Sequence, residues 1–89
     1  MVSTYKKKQQ MNKLFDTLET HECSLVETGC GNYYITWFRE EDVYVVVDWD
    51  SSSLVMKNIT KNDLIQFLVD MKILKVFHID NKGREIEVL

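Results

Sequence analysis

The sequence contains no proline, only three glycines and only two cysteines among its 89 residues. Because no Gly/Ser-rich or low-complexity stretch interrupts it, we expect a single domain spanning residues 1–89. Two cysteines are too few for the disulfide framework that holds small secreted domains together, so we expect reduced thiols. Hydrophobic residues make up 45% and charged residues 28% of the chain, a balance typical of a protein that folds on its own.

Long apolar runs are also missing. No stretch approaches the ~20 residues needed to span a bilayer. The basic segment Lys6–Lys8 is followed by neither the apolar region nor the cleavage site of a signal peptide. We therefore expect a cytoplasmic protein without membrane association. A helix that starts with these lysines places them at the positive end of its dipole, which favours fraying of residues 1–8.

Basic residues are nearly absent from the middle of the chain. Residues 16–50 contain nine acidic residues and one basic residue, Arg39, a net charge of −8, whereas the rest of the chain carries +5. Such a division creates a field that steers a charged partner. It also disfavours nucleic acid as the ligand of this region, because phosphate recognition depends on basic charge.

Two helices are predicted. Apolar residues at helical spacing mark the first, from about Thr4 to Thr20, with Met11, Leu14, Phe15 and Leu18 on one face. The second begins at Thr60, whose hydroxyl can cap the amide of Asp63.

Six segments rich in β-branched and aromatic residues are typical of strands: residues 24–28, 33–39, 42–49, 54–57, 73–79 and 84–89. The last two form a hairpin with Gly83 in the left-handed conformation. We predict an α+β fold with element order α-β-β-β-β-α-β-β. Its largely antiparallel sheet has about five strands, with both helices on one face.

Alternation along the second and third strands predicts which side chains face the helices. The predicted core side carries Tyr33, Ile35, Trp37, Val43, Val45, Val47 and Trp49. The predicted outer side carries Tyr34, Thr36, Phe38, Tyr44, Val46 and Asp48.

One motif points towards catalysis. Residues Val43–Ser51 form a hydrophobic strand that ends in Asp48-Trp49-Asp50, which resembles the first motif of haloacid-dehalogenase-type phosphotransferases. That resemblance implies a nucleophilic Asp48, an acid/base Asp50 and bound magnesium. It covers nine residues, and the chain after it is too short for the parallel core of that family. We expect instead a strand end with two solvated carboxylates, and no catalytic residue.

The only histidines and cysteines are His21, Cys23, Cys30 and His78, a number that matches a four-ligand zinc site. The six residues between the two cysteines exceed the two to four of zinc-knuckle motifs. These four residues are the candidate metal ligands, but we expect neither a metal nor another cofactor.

The function predicted from these patterns is a non-enzymatic protein-binding module. Its contact surface is an acidic and aromatic hairpin: Tyr34, Phe38, Glu40, Glu41, Asp42, Tyr44, Asp48 and Asp50. Carboxylates beside aromatic rings combine charge steering with interface anchors. The expected partner is a protein with a basic surface, such as a nucleic-acid-binding surface that this chain occupies as an inhibitor or adaptor. Small acidic inhibitors, including those of mobile elements, share this size and charge.

Other hypotheses stay open at this point. Lys6–Lys8 and Lys13, with Tyr5, suit nucleic-acid binding, and Asp48 and Asp50 suit metal-dependent phosphotransfer. The protein is expected to be a monomer, or a homodimer paired through an edge strand such as Glu85–Leu89. If one helix covers each face of the sheet, no face is available for contact, and association through an edge strand is then the expected alternative.

Overall fold

The computed structural model describes the backbone of residues 2–88 and the side chains of residues 8–88. Its elements are α1 (Val2–His21), β1 (Cys23–Thr28), β2 (Gly31–Phe38), β3 (Val43–Asp48), β4 (Ser53–Ile59), α2 (Lys61–Val69), β5 (Ile73–Ile79) and β6 (Glu85–Glu87). The predicted α+β class and element order are confirmed, with six strands where about five were predicted. The backbone of α1 begins at Val2, while the side chains of Lys6 and Lys7, within the segment predicted to fray, lie outside the described residues.

The six strands form one sheet in the order β4-β3-β2-β1-β5-β6. Every neighbouring pair is antiparallel. The first four strands form a meander, and α2 carries the chain from the β4 edge to β5 on the far side of β1. Strands β4 and β6 are consequently the two edges.

Both helices pack on the same face of this sheet. Their fully buried leucines share one cluster with buried residues of the strands: Leu14, Leu18, Leu64, Leu68, Val26, Ile35, Val46, Ile73 and Val76. Phe15 of α1 meets Tyr44 edge to face at 5.9 Å, and Phe67 of α2 meets Tyr33 at 5.3 Å between ring centroids. Lys61 lies 4.7 Å from the centre of the Phe15 ring. The alternative with one helix on each face is therefore wrong, and the other face is left uncovered.

The predicted faces of β3 are reversed in the structure. Phe38 pairs with Val43 and Trp37 with Tyr44, so the helix-covered side receives Tyr44 and Val46, which are 4% and 0% exposed. A one-residue difference in register exchanges the two faces of a strand. The four-residue connection 39–42 sets that register, and it places Val45 on the uncovered side.

Local signals at the ends of elements match their predictions. Thr60 and Asp63 form a reciprocal capping box at the start of α2. Gly83 has a φ of +79° in the last hairpin, as predicted for its left-handed position. Among residues 2–88, neither helix combines the length and the apolar character needed to cross a membrane.

Candidate functional site

The C-terminal end of α1 and the β2–β3 loop meet at one end of the sheet. We call this surface the acidic end; it consists of Glu19, Glu22, Arg39, Glu40, Glu41 and Asp42. The amide of Trp37 donates to the carbonyl of Glu22 at 2.8 Å, and Arg39 Nη2 donates to the carbonyl of Glu19 at 2.9 Å. Arg39 Nε also lies 3.7 Å from Glu22 Oε2. The acidic end thus has five carboxylates and one guanidinium, and that guanidinium already has partners.

Trp37 supports the β2–β3 loop from beneath. Its Nε1 donates to Asp42 Oδ1 at 2.9 Å, and the Arg39 guanidinium lies 4.8 Å from the centre of its ring. The ring also stacks on Tyr44, with 6.4 Å between centroids. Asp42 has a φ of +54°, a left-handed conformation that Asp tolerates better than most residues, and its amide donates to the carbonyl of Phe38 at 2.8 Å. Contacts on both sides of the loop therefore fix its path.

A recess of about 540 Å³ opens beside this loop. It is lined by Glu22, Thr36, Trp37, Phe38, Arg39, Glu40 and Glu41. Phe38 is 46% exposed, which is high for a large apolar side chain. An apolar wall next to carboxylates suits a long cationic side chain, whose stem packs on the ring while its charge meets the acids.

The structure gathers half of the predicted contact residues here. Phe38, Glu40, Glu41 and Asp42 lie together at the acidic end. Tyr44 does not, because the β3 register buries its ring under α1. Burial, and then the negative charges of Asp42 and Glu19, raise its pKa.

Asp48 and Asp50 lie at the opposite end of β3, about 20 Å from Asp42 along the strand at ~3.3 Å per residue. Asp48 Oδ1 accepts from the amides of Asp50 and Ser51 at 3.0 and 3.2 Å. This carboxylate therefore closes the β3–β4 turn. The sheet around it is antiparallel, unlike the parallel core that the phosphotransferase resemblance implies.

Four residues of this site were missed by sequence reasoning: Glu19, Glu22, Trp37 and Arg39, which was noted only as the single base of the acidic segment. Glu19 and Glu22 lie at the end of α1 and just after it, and they reach the loop only through the packing of the helix against the sheet. Trp37 was assigned to the core face, and its indole nitrogen nevertheless bonds the loop. The signal that could have found Glu19 and Glu22 was the excess of acidic residues in 16–50, because this segment includes both the end of α1 and the β2–β3 loop.

The uncovered side of the sheet is a second surface, which we call the open face. Its central row contains five apolar or aromatic residues in cross-strand register: Leu54, Val47, Tyr34, Leu25 and Phe77. Trp49 packs beside Tyr34, with 5.3 Å between ring centroids. Leu54 and Trp49 are 56% and 43% exposed. The predicted contact residue Tyr34 therefore lies within this row, away from the acidic end.

The four candidate zinc ligands are not brought together. His21 and His78 stack on the helix side of the sheet with ring centroids 3.5 Å apart, Cys23 lies on the open face, and Cys30 is exposed in the β1–β2 turn. The lone pairs of the imidazole nitrogens lie in the ring planes, so two stacked rings do not direct them at a common metal ion. Within the described side chains, no group of three or more His, Cys, Asp or Glu residues is placed to hold a metal ion.

Tyr34 provides a pH test of the open face. Burial, followed by a hydrogen bond and a charge interaction with Cys23, raises its pKa from 10.0 to about 12. The unfolded chain releases this proton first, so the stabilisation is complete below pH 10 and is lost as the pH rises from 10 to 12. We expect the free energy of unfolding to fall over this interval more steeply in the wild type than in Tyr34→Phe. Urea unfolding at a series of pH values measures this difference, and equal slopes would contradict it.

The chain matches no protein-family model, no curated protein and no solved structure. Its function is therefore inferred from the two surfaces themselves.

Proposed function

We propose that this protein acts by binding rather than by catalysis, and that its acidic end receives a basic segment of a partner protein. The observation that carries this proposal is a recess lined by three glutamates, Glu22, Glu40 and Glu41, beside the exposed ring of Phe38. The only guanidinium there, Arg39, is held by Glu22 and by the carbonyl of Glu19. The carboxylates of Glu40 and Glu41 are therefore available to bind a cation of the partner.

An arginine or lysine side chain is the chemical group that best fits this recess. Its aliphatic stem would pack on Phe38, and its charge would lie near Glu40 and Glu41. Charge complementarity of this kind raises association rates and selects among partners more than it adds affinity. We therefore expect fast binding that weakens as salt is added.

A basic surface that binds nucleic acid carries the same arginine and lysine side chains. A protein that covers such a surface prevents nucleic acid from binding there, which is inhibition. A protein that covers it only in part acts as an adaptor. Both activities belong to this proposal, together with a cytoplasmic location in which Cys23 and Cys30 stay reduced.

The binding test uses a fluorescently labelled peptide of alternating arginine and glycine. We expect salt-sensitive binding by fluorescence anisotropy, and dissociation constants raised about tenfold or more in Glu40→Lys/Glu41→Lys. Both side chains are exposed, and within the described residues neither forms a hydrogen bond or ion pair whose loss would disturb the fold.

The matched control is Asp50→Lys/Asp70→Lys, which makes the same change in net charge at two exposed positions away from the acidic end. If net charge alone governs binding, both double variants will weaken it equally, and the proposed site is wrong. The proposed site is also wrong if the wild-type protein does not bind the peptide at low salt. Circular dichroism establishes that both variants are folded.

A further inference from the structure

The open face is an apolar surface in the middle of a sheet whose other side is covered by both helices. Its central row runs from Leu54 on one edge strand to Phe77, next to the other edge. A second row lies nearer the acidic end, where Thr36 pairs with Val45 and with Cys23. Within residues 8–88 no helix packs on this side of the sheet, and the exposure of its row residues ranges from 4% for Leu25 to 56% for Leu54.

Charged residues of opposite sign flank the two edges of this face. On β4, Met56 pairs with Val46 on the helix side, so the exposed Lys57 that follows it lies on the open face beside Val45. On the other edge, the exposed Glu85 pairs with Ile79 and so ends the same row.

Glu87 extends the acidic edge by one further row. It pairs with Phe77, and its Oε1 lies 3.4 Å from Lys75 Nζ. Lys57 therefore marks the β4 edge of the open face, and two glutamates mark the β6 edge, where Lys75 of the neighbouring strand pairs with Glu87.

We propose that the open face is the interface of a homodimer, formed by two copies stacked sheet against sheet around a two-fold axis parallel to the strands. The axis passes at the boundary between β2 and β1, which has three strands on each side. The rotation therefore places β4 of one copy over β6 of the other. A rotation about an axis parallel to the strands does not shift residues along the strand direction, so each cross-strand row of one copy faces the same row of the other. Lys57 of one copy then meets Glu85 of the second copy, and the contact occurs twice.

The area of this face is sufficient for a specific dimer. Six strands ~4.8 Å apart and about six residues at ~3.3 Å each give roughly 600 Å² per copy, or about 1,200 Å² for the pair. This total is at the lower end of stable protein interfaces and above most crystal contacts. The same axis places both acidic ends at one end of the dimer.

The test is a charge exchange between the two edges, measured by sedimentation equilibrium of the full chain from micromolar to near-millimolar concentration. Lys57→Glu and Glu85→Lys should each weaken the wild-type dimer about tenfold, because two ion pairs become repulsive in each variant. The double variant should recover an affinity within about threefold of the wild type. Lys57 and Glu85 of one chain are about 24 Å apart across five strand spacings, so recovery requires contact between copies.

A second variant separates face stacking from edge-to-edge pairing, which would also bring Lys57 near Glu85 of another copy. Val45→Asp places a carboxylate inside the stacked interface but leaves both edges unchanged. Loss of the dimer in this folded variant supports stacking, whereas continued self-association contradicts it. A wild-type protein that stays monomeric throughout the concentration range, or a double variant no better than the single ones, also overturns the proposal.

Discussion

Val46→Asp is expected to unfold the protein, whereas Val45→Asp leaves it folded. Val46 is fully buried among the side chains of both helices and the central strands. An ionised carboxylate there has no cation to pair with, and burying it costs several kcal/mol. A small domain is stabilised by only about 5–15 kcal/mol in total, so this single change removes most or all of it.

Val45 is the matched control because it is the same residue type, one position earlier in the same strand. On the open face its replacement stays in contact with water, and we expect a loss of about 1 kcal/mol or less in the monomer. Circular dichroism and thermal melting of both variants measure the contrast. The opposite result, with Val45→Asp unfolded and Val46→Asp folded, would restore the alternation predicted from the sequence and refute the observed register.

The second large effect is expected at Trp37. Replacing it with alanine removes the ring that stacks on Tyr44, the ring beneath Arg39 and the hydrogen bond to Asp42. We expect the free energy of unfolding to fall by about 3 kcal/mol, near the lower end for large aromatic side chains because this ring is only partly buried. The β2–β3 loop should also lose its fixed path.

Trp37→Phe distinguishes these contributions. It keeps an aromatic ring at this position but loses the indole N–H and three ring atoms, so we expect a smaller loss, of about 1–2 kcal/mol. Chemical denaturation gives both values, and hydrogen exchange of the amides of residues 39–42 reports the order of the loop. If Trp37→Ala left those amides as protected as in the wild type, the indole would not be what holds the loop.

The order of helices and strands could be predicted because its signals are local. Leu14, Phe15 and Leu18 have helical spacing that belongs to one segment. Thr60 and Asp63 are three residues apart and close their capping box without help from the rest of the chain. Each of these features depends on side chains that are neighbours in the sequence.

The faces of β3 could not be predicted because its sequence is apolar on both sides. Val43, Val45 and Val47 alternate with Tyr44 and Val46, so either set is hydrophobic enough to form a core. The choice depends on whether Phe38 pairs with Val43, which is decided by the conformation of the four-residue loop.

The acidic end was predicted only in part for a related reason. Glu40, Glu41 and Asp42 are consecutive and were found together. Glu19 and Glu22 join them through the packing of a helix about 20 residues earlier in the chain, a long-range contact that charge counting does not locate.

The two edge strands bear on how the protein avoids fibrous aggregation. β4 has irregular register at two places, and Asn58 within it has a φ of +55°, which interrupts the straight row of amides and carbonyls that another strand would copy. β6 has only three residues, two of them glutamates. Neither edge is a good template for adding strands without limit. A chain with exposed Leu54 and Val55 on its border is thereby protected from polymerising along the sheet.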